Sequence, residues 1–108
     1  MKTDRELLEL AAKAAGYPVD CAFDDNPLIF GVDAGPDGPR EWNPLTDDGD
    51  SLRLAVDLGI DVSFFEGSVD VDHESFTLAR SMPYGNDKHA ATRRAITRAA
   101  AAIGEQTK

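Results

Sequence analysis

Apolar residues recur at helical spacing in three stretches, and between those stretches they alternate with polar ones. Leu7, Leu8, Ala11, Ala12 and Ala15 fall on one face of a helix. Thr3 precedes that stripe and Glu6 follows three residues later, a Thr-x-x-Glu capping box that satisfies two otherwise unpaired backbone donors. Gly16 suits the position just past a helix and Pro18 bars continuation, so the spacing predicts a helix over Asp4–Ala15. Leu52, Ala55, Val56 and Gly59, widened by Leu54 and Leu58, predict a second helix beginning at Asp47 or Asp48 and ended by Gly59. Thr46, Asp47, Asp48 and Asp50 crowd its start, where side-chain oxygens cap free N–H groups and negative charge meets the positive end of the dipole. Ile96, Ala99, Ala100 and Ile103 predict a third helix over Lys88–Ile103, capped by Asn86 or Asp87 and ended by Gly104. Seven alanines between Ala90 and Ala102 keep this last helix slim enough to lie close against a sheet or another helix.

Val19–Phe23 and Leu28–Val32 flank the turn residues Asp24-Asp25-Asn26-Pro27 and read as a hairpin. A loop from Asp33 to Pro44 follows, because Ala34–Pro39 holds two glycines and two prolines. In Ile60–Glu66, Ile60, Val62 and Phe64 share one strand face and Asp61, Ser63 and Phe65 the other. Ser75–Ser81 alternates similarly and is its hairpin partner, with Val69–Glu74 either extending a strand or forming a long tip. The predicted order is αββαββα, a single α+β domain over residues 1–108 with a mostly antiparallel four-stranded sheet. Three helices covering the two faces of such a sheet leave one face thinly covered, which predicts an exposed apolar patch and a homodimer.

Composition narrows the setting. A chain of 108 residues with 42% hydrophobic content makes one domain with a core of its own. Cys21 is the only cysteine, so no internal disulfide forms and no zinc cluster is available. No run approaches the roughly 20 apolar residues of a membrane span, and the first residues lack a signal-peptide core. The expectation is a protein without a membrane, in the cytoplasm of its cell. The net charge of −9 disfavours sequence-independent nucleic-acid binding, which needs cationic surface. That charge is unevenly placed. Asp20 to Glu74 holds fifteen acids and two bases, Arg40 and Arg53, whereas Lys88 to Lys108 carries a net +4.

Three blocks carry a resemblance. They are Leu7-Leu8-Glu9-Leu10-Ala11-Ala12-Lys13-Ala14-Ala15-Gly16, then Trp42-Asn43-Pro44-Leu45-Thr46-Asp47-Asp48-Gly49-Asp50-Ser51-Leu52-Arg53-Leu54-Ala55, and Ala90-Ala91-Thr92-Arg93-Arg94-Ala95-Ile96. In content and order they resemble the phage ABA-sandwich domain family, and the middle block is the most specific. The resemblance implies an α-β-α sandwich encoded by a phage or prophage, so the cytoplasm expected above is that of the bacterial host. It transfers no catalytic residue.

The candidate chemistry is correspondingly sparse. Trp42, Asn43, Asp47 and Asp48 read either as a polar ligand pocket with a tryptophan wall or as helix capping plus a loop anchor. Their spacing is not that of a calcium loop, and the aspartates would repel phosphate at the helix start. Neither glycine-rich phosphate cradle is present. Asp70, Asp72 and Glu74 share a strand face with His73 opposite, as weak cation ligands or as a solvated hairpin. His73 and His89 have no ligand-spaced partner, and no serine sits in a Gly-x-Ser-x-Gly elbow. No catalytic residue, metal or cofactor is predicted. On the last helix Arg94 and Arg98 share a face and Arg93 points elsewhere, a contact surface for nucleic acid or an acidic partner, or else the answer to the protein's own acids. The preferred function is binding to a host or phage protein, with nucleic acid admitted only at the last helix. The alternative is a small-ligand or enzymatic pocket at Trp42–Asp50.

Overall fold

The computed structural model describes residues 3–17, 19–20, 28–29, 40–73 and 76–106. In chain order the elements are α1 (Asp4–Ala15), β1 (Val19–Asp20), β2 (Leu28–Ile29), β3 (Arg40–Glu41), α2 (Asp48–Leu58), β4 (Ile60–Phe65), β5 (Ser68–His73), β6 (Phe76–Pro83) and α3 (Lys88–Gln106). The mixed class with antiparallel pairing is as expected, but the strand count and the order αββαββα are not. The strands form two antiparallel three-stranded sheets, β1-β2-β3 and β4-β5-β6, in place of one four-stranded sheet.

Two strands are additional to those expected, β5 and β3. Val69 and Val71 alternate with Asp70 and Asp72, so Ser68–His73 buries one edge of its pleat and becomes a strand in its own right. Arg40–Glu41, expected in the long loop, pairs with β2 in the register Leu28↔Glu41. The expected turn at 24–27, residues 33–39 of the expected loop and Cys21 lie outside the described residues, as does Glu74.

α1 begins as its capping box dictates. The Glu6 N–H donates to Thr3 Oγ1 at 3.2 Å, and the Thr3 N–H donates to Glu6 Oε1 at 3.3 Å. Gly16 closes the helix at φ +73°, a left-handed conformation that other residues rarely adopt. α3 departs from expectation at its far end. Gly104 does not terminate it; the helix runs on to Gln106 with Gly104 buried inside. A Cβ there would lie 2.1 Å from the Leu10 carbonyl oxygen, so Gly104 is the point where α1 and α3 touch backbone to backbone.

α3 is the central element, packed against α1, α2 and all three strands of the second sheet. Its Ala95, Ile96, Ala99 and Ala100 join Leu8, Ala11 and Ala12 of α1, Leu54 and Ala55 of α2, Ile60 of β4, and Val69 and Val71 of β5 in one core. Burying a leucine such as Leu54 stabilises the fold by about 1.5–3 kcal/mol. The helices lie on one side of the second sheet. On its other side Asp61, Ser63 and Phe65 are exposed, and among the described residues no helix covers them. Among the described residues the layering there is sheet against helices.

Candidate functional site

Two acidic regions are candidates, and their geometry differs. The first is the corner from Trp42 to Arg53. Trp42 is 1% exposed and meets the Tyr17 ring edge-to-face at 5.8 Å, so it anchors the core. This corrects the expectation of Trp42 as a contact residue or pocket wall, because no face of the indole is open. Asn43 folds the chain: its Oδ1 accepts the Leu45 N–H at 2.9 Å, and its carbonyl accepts the Asp47 N–H at 2.9 Å. Asp47 is the N-cap of α2, with Oδ2 accepting the Asp50 N–H at 2.8 Å.

Asp50, which the sequence presents as one more capping acid, is the buried one at 2% exposure. It accepts from the Asn43 N–H at 3.0 Å and from Arg53 Nη2 at 2.8 Å, and these charge-assisted bonds offset its desolvation. Asp48 is exposed but receives Arg93 Nη1 at 2.6 Å. The same Arg93 donates through Nε to the Leu45 carbonyl at 2.9 Å, and its side chain is only 16% exposed. One guanidinium thus ties the Asn-Pro-Leu turn and the start of α2 to α3. The polar atoms of Asn43, Asp47 and Asp48 answer neighbours within the fold, as the capping interpretation requires.

The basic helix is likewise turned inward. Arg94 Nη2 donates to Asp4 Oδ1 at 3.1 Å, clasping α3 to the start of α1. Arg98 is exposed and makes no ion pair among the described residues. Arg93 thus reaches α2 and the partly exposed Arg94 reaches the start of α1, while Arg98 is exposed.

The second region is the outer face of β4 and β5. The register sets Asp61 directly opposite Asp72, and Ser63 opposite Asp70. Residues paired across a ladder project to the same face, so Asp61, Asp70 and Asp72 share it, while Ile60, Val62, Val69 and Val71 face the helices. Like charges directly opposite are destabilising. Asp72 Oδ1 accepts the N–H of its own neighbour His73 at 2.9 Å, and His73 Nε2 lies 2.8 Å from the Leu58 carbonyl on the helix side. Among the described residues no group of three or more ligating side chains could hold a metal ion. β4 and β5 contribute no lysine or arginine to this face. The alternation of Asp70 and Asp72 was legible in the sequence; the contribution of Asp61 depends on register and was not.

Against family models, curated proteins and solved structures, nothing matches this chain.

Proposed function

We propose that the protein is a small phage- or prophage-encoded accessory protein of the host cytoplasm that acts by binding a basic macromolecular partner through the outer face of β4 and β5. The phage origin rests on the resemblance of the Leu7–Gly16, Trp42–Ala55 and Ala90–Ile96 blocks. The binding role rests on one observation: the exposed Asp61 and Asp72 stand opposite each other, with no lysine or arginine contributed by either strand. A face that sets carboxylates side by side is complementary to a cationic surface, which would steer association and select the partner. The arginines favour this face over the last helix, since Arg93 and Arg94 already hold carboxylates of the same chain.

The test is capture of partners from host lysate by the wild-type protein and by an Asp61→Lys/Asp72→Lys variant. The reading expects basic proteins that elute with salt and are absent from the variant's eluate. Capture that is indifferent to both salt and the two substitutions would overturn it.

A further inference from the structure

The acidic face borders a strand with one side open. β4 is terminal in the order β4-β5-β6; it pairs with β5 through all six residues, and no described residue pairs with its other side. Along an antiparallel edge every second residue turns its N–H and C=O away from the sheet. Exposed edges are ordinarily blunted by proline, bulges or lysine. The β6 edge ends in Pro83, and its pairing with β5 is broken by an irregularity at Val71/His73. β4 has neither device. Its register is unbroken, it contains no proline or lysine, and it leaves Phe64 and Phe65 66% and 55% exposed. Those two rings lie on opposite faces of the strand, so an added strand would find an aromatic neighbour on each side.

We infer that the open edge of β4 is a docking edge, on which an extended segment of the basic partner pairs as a further strand with lysines or arginines alternating with apolar residues. The inference rests on the proposed function and specifies the form of the partner. Its alternation follows from the two faces of β4. Residues on the helix side would lie beside Val62 and Phe64, and those on the outer side beside Asp61, with Asp70 and Asp72 one strand further in. Main-chain hydrogen bonds then supply affinity, and the alternating side chains supply selectivity. A second copy of the chain fits less well, because it would set one acidic face beside another on a molecule of net charge −9.

The probe is a synthetic Lys-Val-Lys-Val-Lys-Val peptide, titrated into the intact protein with amide hydrogen exchange recorded on β4. Two further peptides carry N-methyl groups on one or the other alternate set of amides, leaving charge and side chains unchanged. The inference expects slowed exchange in Ile60–Phe65. It also expects one methylated set to bind at least about tenfold more weakly, roughly 1.4 kcal/mol, while the other binds like the parent. Equal binding by all three peptides, lost on Asp61→Lys, would overturn the docking edge and leave the acidic-face reading standing. No binding by any of them would overturn both. Dimerisation of the free protein through β4, detected by sedimentation, would assign the edge to a second copy and overturn the inference.

Discussion

At the start of α2 every carboxylate has a donor brought to it, whereas on the outer face of β4 and β5 the carboxylates are brought to one another. Asp47 receives a backbone N–H, Asp48 receives Arg93, and Asp50 receives both a backbone N–H and Arg53. Asp61 instead faces Asp72. Both regions are equally acidic as sequence. The difference lies in what the register and the caps set beside each acid: donors in the first region, another carboxylate across the ladder in the second.

The two regions should respond to substitution in opposite directions. Trp42→Ala, at the base of the neutralised corner, should lower stability most, by about 3–5 kcal/mol as a fully buried aromatic is lost. Urea unfolding followed by far-ultraviolet circular dichroism measures this. Arg93→Ala should cost about 1–3 kcal/mol, since the Leu45 carbonyl loses its charged donor. Arg93→Lys should recover only part of that, because an ammonium lacks the two-pronged geometry. A full recovery in urea melts would show that charge alone matters there.

On the sheet the sign reverses. Asp61→Asn should raise stability by about 0.2–1 kcal/mol by relieving the repulsion from Asp72, while weakening partner binding. Loss of stability on this substitution would mean that the face is not a like-charge face at all.

The smallest effect belongs to Asp87, which caps the first turn of α3. The Ala90 N–H donates to Asp87 Oδ1 at 3.0 Å and holds the carboxyl below its ordinary 3.8, with the positive charge of Arg93 acting the same way. The folded form therefore prefers the ionised cap. Its contribution is full above the ordinary carboxyl range and is lost as pH falls through the lowered value. Asp87→Asn should keep the cap and flatten the acid limb of the Tm–pH profile, as thermal melts on either side of pH 4 would show.

The helices were legible because their signals are local. Thr3 and Glu6, Gly16, Asp47 and Gly59 each act within a turn of the residue they cap, and α1 and α2 begin and end where those residues place them. The end of α3 was not legible, because Gly104 is a glycine for the sake of Leu10, far away along the chain. The same limit applies at the candidate sites. Nothing near Arg93 in sequence signals Asp48 or the Leu45 carbonyl, and nothing near Asp61 signals Asp72 until the two-residue turn at Glu66-Gly67 sets the register. Gly67 takes φ +86° to make that turn. Trp42 stood between the two cases, since its sequence allowed either a pocket wall or a loop anchor, and the Tyr17 ring and the core close over it as an anchor.

The clasp between the first helix and the last also orders events during synthesis. Asp4 and Arg94 are 90 residues apart, and α3 is the main neighbour of α1. The apolar stripe of Leu7, Leu8, Ala11 and Ala12 is synthesised well before α3, which covers it. Closing so long a loop carries an entropic cost that shorter-range contacts avoid, and the exposed stripe must wait meanwhile. Translation arrested before Lys88 should therefore yield a protease-sensitive chain, and release of α3 should convert it to a resistant one in a single step.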